Sequence, residues 1–567
     1  MQTKTLLGID AGGTHTDAVV LRAENGRLTT LATAKVNTCH ENLGHSVAEV
    51  LKAVRETLAD DAVLAGADAV TLGATLAVNA LVQDRADPVG LALSAGPGLD
   101  PGRFAIGDRV CILPGGLDHR GVEVTPLDTA PLDRDAKRWR SEGVKASACV
   151  GKFSPRNPAH ECAMEARARN ADLRVSLGHR LSGSLNFPRR IATAYYNAAV
   201  ERIHDAFVDA VETSLGGVGI KTAPLFLKAD GGAMPAALSR RLPVQSILSG
   251  PAASAMGAMV LCPEADEGCS LLLDMGGTTT DMAILLDGSA VVDRDGMRLN
   301  GRRTLVRALA SLSIGVGGDS RLTVEKGSVA VGPLREGPAM AFGGGRPTFL
   351  DALNILRASE GLPGAGDESL SRKGMEELAA NKGVPAPEIA RKAVDDASRQ
   401  VTENAARLLD RINARPIYTL AALKAVKDIA PSRVILVGGP AECMRPYLAK
   451  AFGLPVVIPA HADVANAVGA AATLPTVGLD VYADTGQRTF RAPALDIEEA
   501  IQQSCTPKMV QERALELLAG HMAAEGMTDQ EVELMETDVF AVLDDYGRSS
   551  KDIRVSCRAV AGIRGRF

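Results

Sequence analysis

The chain has 567 residues, more than one hydrophobic core usually serves, so several domains are expected. Hydrophobic residues make up 46% and charged residues 23%, which excludes a disordered polymer and supplies ample core. A net charge of −6 with both signs interspersed gives no basic face for nucleic acid and no polybasic segment for a membrane surface, so a bound polyanion must be held by local donors and metal.

The nine cysteines are scattered, odd in number and without a C-x-x-C pair, and they read as thiols of a reducing compartment. The first strand begins almost at the amino terminus, leaving no room for a signal peptide. No apolar run reaches the roughly 20 residues of a membrane helix. The expected compartment is the cytoplasm.

In chain order, LLGIDAGGTHTDAVVL from Leu6 runs an apolar strand into Asp10, Gly12, Gly13, Thr14, Thr16 and Asp17 and out into a second strand. Gly-Gly permits a turn that residues with a Cβ resist, so the backbone can come close to a ligand. Its N–H groups and the Thr hydroxyls make a concave donor surface for phosphate oxygens, and the Asp can hold a divalent cation or orient a water. An edge strand follows near Leu28 to Val36. A helix from about Asn42 to Leu58 is expected from Val47, Val50, Leu51 and Val54 at helical spacing. DAVTLGATLAVNALVQDR reads as a strand, a Gly turn and a helix from near Thr75. Thr75 and Asn79, four apart, share a face near the helix start, where an anionic group is favoured; an N-cap with a surface Asn is the alternative. PVGLALSAGPGLDP is a strand and a Gly-Pro loop. VKASACVGKFS is a buried strand, and RNPAHECAMEARARNA is the helix after it. There His160 and Glu161 point to different faces and are not expected to share a metal. Residues 1–185 thus read as one α/β half.

A second half, 186–477, opens with a long helix from Phe187, striped by Ile191, Ala194, Tyr195, Ala198, Ile203 and Phe207. PLFLKADGGAMP gives a strand ending in Asp230 and Gly231. QSILSGPAASAMGAMVL places Ser249 and Gly250 at the start of a small-residue helix, where they are candidates for contacting substrate. LLLDMGGTTTDMAIL from Leu271 then repeats the opening hairpin, with Asp274, Gly276, Gly277, Thr278, Thr280 and Asp281 in phase with the first copy. A hairpin used twice marks two similar halves that face each other and grip a polyphosphate from both sides. Gly317, Gly318 and Asp319 fall between two strand-like runs. Residues 331–348 read as a long irregular loop, and 369–414 as helical. SRVILVGGPAECM is a strand and a turn whose Gly438 and Gly439 let backbone pass close to a flat ring or ribose. ADVANAVGAAATL is a helix with faces small enough to pack back on the first half. From 478 to 567 the pattern changes to short strands and charged helices, a separate small α+β module with no chemistry of its own in the sequence.

In this order, IDAGGTHTD, TLGATLAVNAL, SILSGPAASAMGA and LDMGGTTTD resemble the hydantoinase A / 5-oxoprolinase family of the actin, sugar-kinase and heat-shock ATPase superfamily, over roughly residues 4 to 473. The resemblance implies an α/β fold of two ribonuclease-H-like (actin-like ATPase) domains, with ATP and Mg2+ or Mn2+ in the cleft between them. By position, Asp10 and Asp274 would hold the metal and its waters, with Asp319 counted among the catalytic carboxylates. Gly12, Gly13, Thr14, Thr16, Gly276, Gly277, Thr278 and Thr279 would line the phosphates, together with Gly317 and Gly318, and Gly438 and Gly439 would approach the adenosine. The chain departs from the family where many members carry His-Gly-Thr-Thr and it has Leu72-Gly73-Ala74-Thr75, at His15 where an aromatic is usual, and in the segment after Val331, which lacks the family's Cys. These departures bear on the substrate more than on ATP.

The implied activity is ATP-dependent opening of a cyclic amide of hydantoin or oxoproline type, with Thr75, Asn79, Asp230, Gly231, Ser249 and Gly250 as substrate-side candidates. A second hydantoinase-type subunit is an expected partner, and oligomerisation is left open. Two rivals share the hairpins: an ATPase that reactivates a partner enzyme, and a small-molecule kinase, for which Asp230, Asp274 or Asp319 would serve as base.

Overall fold

Strand Lys4–Ala11 (β1) carries Leu6, Leu7 and Ile9 without solvent exposure, so both of its faces are covered and it can only be central in a sheet. The computed structural model describes residues 3–567 apart from 40, 83, 84, 95, 97, 294, 415–427, 528, 529 and 544–548, and of residues 78, 79 and 82 the backbone alone. On one side β1 forms an antiparallel hairpin with His15–Glu24 (β2), which continues to Arg27–Asn37 (β3). On the other it runs parallel to Ala69–Ala74 (β4), beyond which lie Leu225–Leu227 and Ala233–Pro235. The second sheet repeats this plan. Cys269–Met275 forms the hairpin with Thr280–Leu286, which pairs onward with Ser311–Ile314, and runs parallel to Arg433–Val437 and then Val456–Val457. These are two ribonuclease-H-like sheets of the actin-like ATPase kind. In each, the paired aspartates of the hairpin stand directly opposite one another, Asp10 with Asp17 and Asp274 with Asp281.

The first sheet takes in strands that lie beyond residue 185 in the chain, Leu225–Leu227 and Ala233–Pro235. Helix Phe187–Gly217 packs Phe207, Val208, Val211 and Leu215 under the first sheet, where Leu225–Leu227 pairs with β4, while Ile191, Ala194 and Ala198 of its expected stripe pack with Val89, Leu91 and Leu93 in a separate cluster. The chain leaves that lobe through helix Ser249–Leu261. Helix Leu43–Thr57 forms as its spacing dictates, with Val47, Val50, Leu51 and Val54 buried and Asn42 accepting a hydrogen bond from the His45 amide as cap. The expected irregular loop from 331 is corrected at its start. Ser328–Arg335 is a strand paired with Ser320–Glu325, because Val329 and Val331 alternate into the same core as the long helix Ala386–Asn413. Helix formation across 369–414 is interrupted at Gly383, which takes a left-handed conformation ahead of Pro385.

Within the first lobe a parallel sheet of four strands, Val110–Leu113, Val89–Ser94, Ala146–Gly151 and Arg174–Leu177, is sealed by the fully buried Trp139. Residues 478–559 form a five-stranded antiparallel sheet covered by helix Pro507–Ala524. This module docks on the first lobe through Met234 and Leu238, through Arg156 paired with Asp552, and through Arg120 paired with Asp484.

The two main sheets share a core. Leu6, Val19 and Leu21 from the first and Leu272, Leu285 and Ile435 from the second meet around helices Ser249–Leu261 and Ala465–Ala472. The helices touch backbone to backbone: a Cβ on Gly257 would lie 2.1 Å from the Ala465 carbonyl oxygen, and one on Gly469 would lie 2.1 Å from that of Ala253. Ala465–Ala472 also presses on β1, where a Cβ on Gly8 would stand 2.0 Å from the Ala467 oxygen. The hairpin tips hang from the carboxyl ends of strands joined in this way.

Candidate functional site

Each hairpin turn is closed by the same bond: the Gly12 amide donates to the His15 carbonyl at 3.1 Å, and the Gly276 amide to the Thr279 carbonyl at 2.9 Å. The tips meet across the cleft, with the Thr14 and Thr278 hydroxyls 3.2 Å apart. Gly277 is pressed against the first tip, since a Cβ there would fall 3.0 Å from the Thr14 hydroxyl and 2.7 Å from Asp319 Oδ2. Gly13 faces open space.

Beneath the tips the two aspartates approach a common point. The Asn466 side-chain amide donates to Asp274 Oδ2 at 3.1 Å and to Asp10 Oδ2 at 3.3 Å, so one side chain bridges carboxylates from both sheets. The Ser254 hydroxyl donates to Asp274 Oδ2 at 2.5 Å. Gly438 passes directly over this aspartate with φ of +97°, and a Cβ would sit 2.2 Å from the Met275 oxygen and 2.9 Å from Asp274 Oδ1, so only glycine fits. Gly73 does the same under Asp10, its absent Cβ lying 2.7 Å from Oδ1. Asp10, Asp274, Gly12, Gly13, Thr14, Gly438, Gly439 and Asn466 together line a cavity of about 110 Å³.

The electrostatics are those of crowded, buried acids. Burial, then Asp17, lift the Asp10 carboxyl to about 7, with Asp274 adding to the rise and the Asn466 hydrogen bond opposing it. Asp281 is likewise pushed to about 7, by burial and then by Asp274. Asp17 is raised by burial, against the pull of Lys35 at 2.5 Å. His15 is lowered by burial first and Lys35 second.

Asp10 Oδ1 is buried with no hydrogen-bond partner among the described residues, while the other oxygen of the same carboxylate is held by Asn466. No group of three or more His, Cys, Asp or Glu side chains converges among the described residues. An orphaned carboxylate oxygen beside a second carboxylate suits a hard cation such as Mg2+, which keeps most of its waters and takes one or two carboxylates plus phosphate oxygens. The residues present therefore fit a nucleotide-bound divalent cation.

Other expected site residues make their visible contacts within the protein. The Thr16 and Thr280 hydroxyls are fully buried and turned into the protein, Thr16 toward Thr38 at 3.0 Å and Thr280 to the Val316 carbonyl at 2.6 Å. Gly317 and Gly318 lie behind the second tip, where the Gly318 amide donates to the Gly276 carbonyl at 3.0 Å. Asp319 reaches Gly277, but its oxygens accept hydrogen bonds from Arg335 and from the Ala339 amide, each at 3.0 Å, which ties down the loop that follows. Thr279 supplies its carbonyl to the turn.

On the substrate side, Thr75 donates its amide to Ala11 at 3.2 Å, Ser249 bonds to both the amide and the carbonyl of Ala74, and Gly250 faces Thr75. This cluster stands at the end of β1, next to Asp10. Asp230 and Gly231 are set apart from it. Asp230 closes its own turn on the Gly232 amide, and Gly231 sits against Met256. The Asn79 side chain lies outside the described residues. His160 and Glu161 face different ways, the former to Ser94 and Glu123, the latter to the Gly151 amide and His179. Asn466, Ser254 and Gly73 were not among the expected residues; a polar Asn in an otherwise small apolar helix was the available signal.

Residues 6–172 match the family model of the hydantoinase/oxoprolinase N-terminal region, and residues 190–476 that of hydantoinase/oxoprolinase. Caprolactamase subunit alpha of Pseudomonas jessenii is 26% identical over 377 residues, 61% of this chain and 53% of that protein. The acetophenone carboxylase gamma subunit of Aromatoleum aromaticum is 24% identical over 261 residues, 42% and 34% of the two chains. The chain thus spans about half or less of the length of these relatives. Among solved structures, nucleotide-free acetone carboxylase superposes with a TM-score of 0.73 at 15% identity, covering 100% of this chain and 89% of that one. The ATP-dependent caprolactamase of Pseudomonas jessenii gives 0.69 at 20% identity, covering 98% and 87%. Both likenesses are of fold. No described helix is long and apolar enough to cross a membrane.

Proposed function

The chain belongs to the hydantoinase/oxoprolinase family, and from that premise we propose that it is the ATP-using component of an enzyme that opens a cyclic amide. The observation that carries the reading is the meeting of two equivalent hairpins from two lobes, with Asp10 and Asp274 bridged by Asn466 beneath tips 3.2 Å apart. The relatives point the same way, since one is named a caprolactamase subunit. Residues up to the helix Ser249–Leu261 form the first nucleotide lobe in this reading, those from Cys269 to about 477 the second, and 478–567 an accessory module. The relatives named as subunits support a partner chain that completes the substrate pocket. ATP use and free cysteines suit a reducing cytoplasm.

Asp10 and Asp274 are the residues that would hold a divalent cation and its waters. When bound, the cation neutralises charge on the phosphate oxygens. Gly13, Thr14, Gly277 and Thr278 cradle the phosphates from both sides, and Gly438 and Gly439 leave room for the nucleoside. The terminal phosphoryl group passes from ATP to the amide carbonyl oxygen, which makes the carbonyl carbon a better electrophile. Water adds to that carbon, the ring C–N bond breaks to give an amine and an acyl phosphate, and a second water hydrolyses the acyl phosphate to leave the amino acid, inorganic phosphate and ADP. The cluster of Thr75, Ser249 and Gly250 beside Asp10 is the place for the ring.

Phosphate release measured across a panel of lactams, hydantoins and polyols, with Mg2+ or Mn2+ and with the partner chain supplied, tests the reading. Turnover that rises only with a cyclic amide is expected. Turnover raised by a polyol and by no lactam would point to a kinase and overturn it.

A further inference from the structure

A second cavity, of about 610 Å³, shares no lining residue with the nucleotide site. Its walls come from three parts of the chain: the start of helix Phe187–Gly217 with Arg189, the segment from Val291 to Arg307, and the carboxyl-terminal module with Asp480, Met535 and Arg554. A space of this size at a junction of modules is where small molecules commonly bind.

The wall carries more positive than negative charge, with Arg189, Arg307 and Arg554 against Asp293 and Asp480. Arg189 is paired with Asp295 at 3.5 Å, and it is Arg307 and Arg554 that the acids of the wall leave incompletely matched. Asp480 accepts the Ser556 hydroxyl and stands 3.8 Å from Arg554, beyond hydrogen-bond distance. Arg554 Nε is buried and has no partner among the described residues. Arg307 has neither an ion pair nor a hydrogen bond among them. Its pKa is held below the ordinary arginine value by partial burial first and by the nearby Arg558 second, as expected of a cation lacking an anion. Leu305 and Met535 add apolar surface between the charged groups. Arg307 without an anion, beside Arg554 with its Nε unpartnered, suits a monoanion, and Asp293 and Asp480 in the same wall disfavour the higher charge of a phosphate dianion; the guanidinium fork matches a carboxylate.

We propose that this cavity binds a small aliphatic molecule by its carboxylate, held by Arg307 and Arg554. Such a molecule has two chemical sources: the ring-opened amino acid of the proposed reaction, or an aliphatic acid unrelated to it. The cavity's charge does not depend on the nucleotide reading.

The test is ligand-detected NMR on the full chain with hexanoate, its terminally aminated analogue, and inorganic phosphate. At least one carboxylate should bind one-to-one and resist displacement by phosphate. Arg307→Ala, at an exposed position where truncation spares the core, should weaken it at least tenfold, and Asp10→Asn should leave it unchanged. Tighter binding of the aminated analogue assigns the site to the reaction product; equal or tighter binding of hexanoate assigns it to an independent acid. No binding of either at roughly 10 mM, displacement by equimolar phosphate, or full affinity in Arg307→Ala overturns the proposal. Because Asp10→Asn removes the cation site and not the cavity, failure of the ATP reading and failure of this one give different results.

Discussion

Asn466→Ala removes a side chain that donates to both Asp10 and Asp274, at 3.3 and 3.1 Å. Hydrogen bonds to a charged group contribute about 1.5–3 kcal/mol, and these are longer than the best of their kind, so the lower figure applies. One pKa unit corresponds to about 1.4 kcal/mol, so loss of the bond should raise the Asp10 carboxyl by about one unit from its value of about 7. The direction follows from the chemistry: the amide favours the ionised carboxylate, and its removal favours the proton. A cation competes with that proton. At pH 7 about half of Asp10 is ionised in the native protein and about a tenth would be in the variant, a roughly fivefold loss of affinity that shrinks to nearly nothing by pH 9. Calorimetric titration with Mg2+ and a non-hydrolysable ATP analogue at the two pH values reads this directly, as the ratio of variant to native affinity. A deficit of equal size at pH 7 and pH 9 would mean that Asn466 only shapes the helix, and no deficit at either would refute the bridging role.

Gly438→Ala should abolish nucleotide binding while leaving the chain folded, because its methyl would overlap the Met275 carbonyl and displace the loop from above Asp274; circular dichroism beside nucleotide titration separates the two effects. Asp281→Asn should stabilise the ligand-free protein. The native carboxyl, at about 7 when folded and 3.8 in the unfolded chain, costs stability increasingly as pH rises from about 4 to 7 and by a constant amount above that. The gain in a thermal scan at pH 8 should be at most about 4 kcal/mol, less for the part of Asp281 that solvent reaches, and absent at pH 3. Arg156→Ala leaves Asp552 unpaired at a contact where the two side chains are only 11% and 16% exposed. That should cost about 3 kcal/mol and appear as faster proteolytic release of residues 478–567.

The paired hairpins were legible because each needs a residue pattern that little else produces: an apolar strand, an Asp at its end, and glycines where backbone must come close. Gly438 was legible for the same reason. Thr16 and Thr280 occupied the right positions for phosphate donors, but a strand alternates its side chains, and theirs fall on the inner face, where they brace Thr38 and the Val316 carbonyl. Asn466 is nearly 200 positions from Asp274 and reaches it only because its helix lies backbone-to-backbone on another. No local periodicity carries that information. One strand of the first sheet was hidden for a related reason. Leu225–Leu227 is too short to declare its sheet, and only pairing with β4 assigns it.

The small-residue helices give the site a mechanical property that neither hairpin has alone. Asp274 takes its serine from helix Ser249–Leu261 and its amide from helix Ala465–Ala472, and the same Asn466 holds Asp10. The two carboxylates are therefore referenced to the contact between helices and not to the distal parts of either lobe. Movement of the lobes on nucleotide binding would have to pivot at this contact, where Gly257 and Gly469 leave no room for sliding past Ala465 and Ala253. Gly257 and Gly469 therefore set the placing of Asp10 and Asp274 through the helices that carry Ser254 and Asn466.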